Sequence, residues 1–389
     1  MNRLRVGIYG VRCALNIMRR GLAGNLAQIV AVTDPDAELV RNTSDEISSL
    51  GAAAYTEFGR FLGAGLDAVI IAGPPGRQAS PAIRALRHGI DVLCYPMPVS
   101  TLDEAFLLER TVREGGRVFA FAEPYCYRRG VMTAREMYRN GDIGKLLSVE
   151  ATRVGREPLT TKVPKGEAYL PSTFMCSASV GPMFFATGLR PLRVIGMETP
   201  RAGFTSSKGI KHASAATELF EFDGGAVGRS FHGELSCPPR FTLTMCGETG
   251  TIEVCGDRLL HHDYSSGRRI SSDLRRSVPR FPGANYYEDD LENAEASAIC
   301  CFIGKLLGDV DSAACSVDVW RALDISLSGL LAYRSVLDGG RVFMMPDTRT
   351  DDGREFCRGD RFTTDPDADA KYRLPPNKNR GAGKQETLI

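Results

Sequence analysis

The chain has 389 residues, too many for one small core and suited to two domains. Apolar residues make up 43% and charged residues 24%, an ordinary globular balance, and 48 Lys+Arg against 47 Asp+Glu leave a net charge of +1. That near-neutrality offers no basic surface for nucleic acid, and no apolar run approaches the roughly 18 residues of a membrane span, so neither is expected as a partner.

The start, Met1-Asn-Arg-Leu-Arg-Val, runs straight into a strand and reads as lacking a signal peptide. Of the eleven cysteines, Cys13, Cys94, Cys176, Cys246, Cys300 and Cys301 sit in apolar surroundings. With no C-x-x-C pair and no His/Cys cluster at zinc spacing, they read as reduced thiols of a cytoplasmic protein, and no metal is expected.

In chain order, Arg5–Tyr9 reads as a strand, Gly10 as a turn, about Cys13 to Leu22 as a helix and Ile29–Thr33 as the next strand. Asp67–Ala72 is an apolar run after its first residue, as a buried parallel strand requires. Pro81–His88 is a helix stopped by Gly89, Asp91–Cys94 a strand, Leu102–Glu114 a helix and Val118–Ala122 a strand. Such alternation implies right-handed crossovers and an α/β, doubly wound parallel sheet over residues 1–125.

Beyond Gly144 the pattern changes. Leu146–Arg153, Glu218–Phe222, Ala226–His232, Arg240–Cys246 and Thr251–Val254 read as strands joined by turns such as Asp223-Gly224-Gly225. With helices at Asp289–Leu307 and Val317–Leu337, residues 126–346 form an α+β domain with a large, mostly antiparallel open sheet. Residues 347–389, rich in Asp, Arg, Gly, Pro and Lys, read as an extended or disordered tail, a segment able to strap over a partner subunit.

Eight stretches in this order carry a resemblance: VGIYG, IVAVTDPD, DAVIIAGPP, GIDVLCYPMPVSTLDEA, AEPYCYRRGVMTAREMYRNGDIGKLLSVEA, FDGGAVGRS, CGETGTIEV and WRALDISLSGLLAYRSVLDGG. They resemble the Gfo/Idh/MocA family of sugar dehydrogenases over roughly residues 4 to 345, with AEPYCY most similar to the NAD-dependent glycoside hydrolase branch. The resemblance implies a Rossmann domain binding NAD(P), oxidation or reduction of a ring carbon of a sugar or cyclitol, and an open sheet that pairs with itself or with a paralogue.

At the sites, the chain departs from that family. A dinucleotide fold uses G-x-G-x-x-G for a turn, a phosphate approach and a helix contact. Here Gly10-Val11-Arg12-Cys13-Ala14-Leu15 keeps only Gly10; Arg12 stands where a side chain would crowd the phosphates or pair with one. Asp34, 24 residues after Gly10, is placed to bind ribose hydroxyls and disfavour NADP, and is equally a turn residue before Pro35. Pro74 and Pro75 match the loop beneath the cofactor. Gln78 stands where the family has His.

The resemblance implies a Glu-Lys-Pro motif after Cys94, but Tyr95-Pro96-Met97 stands there, and a one-residue slip brings Met97-Pro98; neither register has a lysine. It also implies G-x-H-x-x-D on a helix, with His as general acid/base. Counting back from Thr187-Gly188 places Ala178 and Gly181 on the His and Asp.

Candidates for other chemistry are Glu123, Tyr95 and Tyr125 as catalytic groups, and Tyr127, Arg153, Arg156, Lys162 and Tyr169 as substrate contacts. A carboxylate beside tyrosines and cations can abstract a proton or bind an anion. The plainer reading packs Tyr125 and Tyr127 under the Met132–Met137 helix and leaves the cations solvated. His232 reads as an exposed or core histidine.

Three functions therefore stay open: an oxidoreductase on a sugar-like or other small polar molecule that binds NAD(H) with a rearranged site, a non-redox lyase, isomerase or cyclase in the same cleft, or a non-catalytic subunit paired with an active homologue.

Overall fold

The computed structural model describes residues 3–73, 76–155, 173–199, 204–205, 211–212, 215–233, 235, 237–275, 281–364 and 368–375. Six strands form the first sheet: β1 (Leu4–Tyr9), β2 (Ala27–Thr33), β3 (Ala53–Tyr55), β4 (Ala68–Ile71), β5 (Asp91–Cys94) and β6 (Phe119–Phe121). All pair in parallel in the order β3-β2-β1-β4-β5-β6. The helices between them are α1 (Val11–Arg20), α2 (Ala37–Ser49), α3 (Phe58–Leu62), α4 (Ala79–Arg87) and α5 (Leu102–Gly115). Every residue of β4 is buried, which is why that strand reads as a continuous apolar run with no alternation.

The chain then forms α6 (Arg129–Arg139), β7 (Leu146–Val154), α7 (Ser177–Thr187) and β8 (Pro191–Glu198). A short pair, β9 (Phe204–Thr205) and β10 (Lys211–His212), precedes β11 (Ala215–Phe222), β12 (Val227–Gly233), β13 (Arg240–Gly247), β14 (Gly250–Cys255), β15 (Arg258–Asp263) and β16 (Arg268–Asp273). Then come α8 (Asp290–Leu306), α9 (Val310–Cys315), α10 (Val319–Leu337), β17 (Phe343–Met344) and α11 (Asp351–Cys357). The second sheet has nine strands in the order β16-β15-β14-β13-β7-β12-β11-β8-β17, antiparallel except for the parallel pair β7–β12.

Alternation sets the two faces of this sheet. Phe220, Phe222, Leu243 and Met245 point inward, while Leu147, Met197, Leu219, Val227 and Met344 are exposed on the outside. Helix α7 is buried almost all round and contains Pro182. It lies against β7, β12, α6 and α10, so an apolar sequence suits every side of it. Helix α10, capped by the Asp318 side chain on the Arg321 amide, packs on both sheets through β6 and β8.

The expectation of an extended or disordered tail over residues 347–389 is corrected for residues 347–364; residues 376–389 lie outside the described residues. Thr350 caps α11, which packs on α5. The charges that suggest a solvated tail have buried partners: Arg349 Nη2 lies 2.8 Å from Asp324 Oδ2, and Arg354 lies 3.6 Å from the fully buried Glu109. Asp360 accepts two bonds of 2.7 Å from Arg334. Residues 347–364 thus strap this chain's own α10 and α5. A polar composition cannot distinguish a solvated charge from one paired across the fold.

Candidate functional site

The order of the first sheet reverses between β1 and β4, and ligands of such sheets lie at the carboxyl ends of the strands there. Gly10 ends β1 with φ +123°, and a Cβ on it would stand 2.3 Å from the Ala72 carbonyl oxygen. Only glycine fits that close crossing of two chains. The Asp34 carboxylate accepts from the Val11 amide at 2.9 Å and from the Asp36 amide at 2.9 Å, tying the end of β2 to the start of α1. Burial pushes the Asp34 carboxyl above its ordinary range, against the two amides and Arg12.

Arg12 is exposed in the first turn of α1, so its side chain is not packed into the glycine turn; Leu15 is buried under the helix. A turn glycine, a helix N-terminus whose first amide is held by Asp34, and that acid at the end of β2 fit the adenosine side of a dinucleotide. Pro74 and Pro75 lie outside the described residues.

Gln78 is fully buried and donates to the Gly73 carbonyl at 2.8 Å and the Tyr95 carbonyl at 3.4 Å. It holds the two loops at the crevice floor together. A cis peptide joins Tyr95 to Pro96, and Tyr95 is 38% exposed there. No lysine enters at this turn.

At the end of the neighbouring strand β6, Glu123 is buried and its Oε1 accepts from the Tyr125 amide at 3.1 Å, capping the short helix Pro124–Tyr127. Its Cγ lies 3.0 Å from where a Cβ of Gly181 would stand, beneath α7. Tyr125 is half-buried, 5.3 Å from the Phe241 ring, and its hydroxyl accepts from Arg153 Nε at 3.4 Å.

Tyr127, expected as a substrate contact, is corrected to a core residue. It is 3% exposed, packs on Phe185 and Phe281, and its hydroxyl accepts from the Val317 amide at 3.4 Å. Its hydroxyl is pushed well up by burial. Arg156, Lys162 and Tyr169 lie outside the described residues.

One pair was not singled out by the sequence. His232, on β12, is 4% exposed and sits 3.0 Å through Nε2 from Oε1 of the fully buried Glu218 on β11. The predicted hairpin around Asp223-Gly224-Gly225 held the signal, since Glu218 alternates with Phe220 and Phe222 on the buried face. Beside this pair, Ser179 of α7 and Ser230 of β12 share a hydrogen bond of 2.7 Å. The buried Cys176 thiol is pushed well up, by burial first and then by the charges of Glu218 and Glu123, so it stays protonated and is no nucleophile.

Among the described residues no group of three or more His, Cys, Asp or Glu could hold a metal ion, and no helix is long and apolar enough to cross a membrane.

The family model described as "Oxidoreductase family, NAD-binding Rossmann fold" (Gfo/Idh/MocA) matches residues 4–122. A glycosyl hydrolase family 109 protein of Stenotrophomonas maltophilia (strain K279a) is 31% identical over 155 residues, 37% of this chain and 33% of that protein. A 2,7-anhydro-N-acetylneuraminate hydratase of Mediterraneibacter gnavus is 29% identical over 132 residues, 34% of each chain. The chain thus spans about a third of the length of these curated relatives.

Among solved structures, an oxidoreductase from Sinorhizobium meliloti superposes with a TM-score of 0.71 at 19% identity, covering 88% of this chain and 100% of that one. An inositol dehydrogenase homolog from Azotobacter vinelandii, solved with NAD+, gives 0.71 at 16% identity over 88% of this chain and 97% of that one. At such identities the likeness is one of fold. Residues 4–122 thus match the Gfo/Idh/MocA oxidoreductase model, and the parallel sheet and glycine turn described above are those of its NAD-binding Rossmann fold.

Proposed function

We propose that the crevice between the two sheets takes NAD(H) and a sugar-like molecule, and that proton transfer there uses groups other than the usual Lys, His and Asp. The observation that carries this reading is the Tyr125–Arg153 contact, which joins the end of the first sheet to the inner face of the second beside a crevice built on Gly10 and Asp34. A sugar ring offers C–H faces and hydroxyl edges. The Tyr125 and Phe241 rings suit the faces, and the Arg153 guanidinium suits the edges or a carboxylate.

In this reading Gly10, the first amides of α1, Asp34 and, by position, Pro74 and Pro75 hold the dinucleotide, with Arg12 beside its phosphates. When bound, NAD(H) supplies the capacity to accept or give a hydride. Tyr95, exposed at the crevice floor, and Tyr125 are placed to hydrogen-bond substrate, while Glu123 sets the Tyr125 backbone and adds negative charge beneath α7. Arg156, Lys162 and Tyr169 remain sequence-based candidates for substrate. The exposed outer residues Leu147, Met197, Leu219, Val227 and Met344 suit pairing with a second copy or a paralogue. None of the eleven cysteines is disulfide-bonded, which supports a reducing, cytoplasmic setting.

A second reading, non-redox overall, is favoured by the Tyr95-Pro96-Met97 turn without lysine, and by the names of the two curated relatives, a hydrolase and a hydratase. Isothermal titration with NADH and NADPH, followed by assays on myo-inositol, N-acetylneuraminate and 4-nitrophenyl glycosides, tests both. Binding of NADH with Kd on the order of micromolar, and turnover of a sugar, are expected. Absence of binding at millimolar NADH in folded protein overturns the dinucleotide reading. Binding of NADH without turnover of any sugar supports the non-catalytic subunit instead.

A further inference from the structure

We infer that His232, held by Glu218, is the acid–base group of the cleft, supplied by the sheet where the family places it on the helix. This rests on the functional reading above and names the residue that moves the proton.

Register places His232 at the crevice. Across the inner face of the second sheet, Phe241 pairs with Arg153, Arg153 with His232, and His232 with Ala216. Phe241 and Arg153 are the two residues that meet Tyr125 from the first domain. His232 is therefore the next side chain in the row that faces the crevice. Glu218 lies one row deeper, where it pairs with Ser230, and Ser230 is bonded to Ser179 of α7. Helix α7 itself offers only Ala178 and Gly181 at the positions where the family carries its acid/base pair.

A second observation points to a ligand. Among the described residues Glu218 Oε2 is buried with no hydrogen-bond partner, while Oε1 faces His232. An orphaned carboxylate oxygen costs about 1–3 kcal/mol, so a pair kept only for packing would be better served by apolar residues. A sugar hydroxyl or the water it displaces gives that oxygen a donor. With Nε2 donating to Glu218 Oε1, Nδ1 is left as an acceptor. The step is proton transfer alone. The O–H bond of a ring hydroxyl breaks, its electron pair stays on oxygen, and an N–H bond forms at Nδ1. Glu218 balances the resulting imidazolium, as a carboxylate behind a catalytic histidine does.

The test uses the full chain with 15N-labelled histidine, and His232→Gln assigns the resonance. Myo-inositol, N-acetylneuraminate and N-acetylgalactosamine are titrated in the presence of NADH, with binding followed in parallel by calorimetry. A sugar that binds and shifts Nδ1 of His232 is the expected result. A sugar that binds and leaves Nδ1 unmoved overturns this assignment and leaves the functional reading intact. Binding of none of them overturns both.

With a turned-over substrate, His232→Ala lowers kcat at least about 100-fold, and free imidazole restores part of it while NADH affinity is unchanged. Glu218→Gln lowers kcat about 10-fold, because it no longer balances the imidazolium, and raises KM as well where Oε2 accepts from a sugar hydroxyl. A histidine that only packs the core gives loss of folding without imidazole rescue, and that result sinks the proposal.

Discussion

A Cβ on Gly181 would stand 3.0 Å from Glu123 Cγ and 3.2 Å from Cys126 Sγ. The carboxylate from the end of the first sheet thus occupies the space that a side chain on α7 would need. Helix propensity favours Ala over Gly by about 1 kcal/mol, whereas overpacking costs about 1–3 kcal/mol, so overpacking wins for Gly181→Ala. A net loss of about 1 kcal/mol is expected by urea unfolding, and a larger one for Gly181→Asp, which brings a second buried carboxylate to Glu123. Adding Glu123→Ala should recover part of either loss, and strictly additive effects in this double-mutant cycle would contradict the shared space.

Gly10→Ala meets the Ala72 carbonyl oxygen at 2.3 Å and adopts a backbone conformation that L side chains rarely take. Backbone cannot yield as a side-chain tip can, so a loss of about 3 kcal/mol is expected in a denaturant series. Asp34→Ala leaves the Val11 amide without its acceptor and should weaken NADH at least about tenfold by calorimetry. Unchanged NADH affinity in that variant would remove Asp34 from the site.

Arg349 is the chief partner of Asp324, a carboxylate 2% exposed within α10. Burial pushes the Asp324 carboxyl up and outweighs its arginines, while the same pair holds Arg349 firmly charged. We take burial as the dominant effect on the carboxylate, because Arg349 is partly exposed. Arg349→Met then strands a buried charge and should cost about 3–5 kcal/mol, whereas Arg349→Met with Asp324→Leu should cost much less. Equal losses in the single and double variants would show that the strap contributes by packing alone.

Burial pushes the thiols of Cys13, Cys300 and Cys357 up to about 12, and those of Cys94, Cys126, Cys176 and Cys301 upward as well. At pH 8 these stay protonated and should resist iodoacetamide in the native protein. Cys255, which is exposed, should be alkylated first by mass spectrometry. Early labelling of Cys176 would mean that α7 opens from the sheet.

The strands of the first sheet other than β3 were legible because burial on both faces leaves continuous apolar runs such as Ala68–Ile71, and glycine marks the turns. The hairpin of β11 and β12 was legible from its Asp223-Gly224-Gly225 turn. Strands β3, β8, β9, β10, β15, β16 and β17 escaped notice. The residues of β16 are almost all exposed, and so carry no alternation.

By itself the sequence determined the two-sheet plan and the glycine turn at Gly10, because these depend on residue type at local spacing. Only the tertiary structure decided which charges are paired. Glu218 and His232 are 14 residues apart, Asp324 and Arg349 25 apart, and Glu109 meets Arg354 from a different helix. A side chain's partner is set by register and packing between elements, and so no local pattern shows that Tyr127 faces Phe281 or that Glu123 fills the space beneath Gly181.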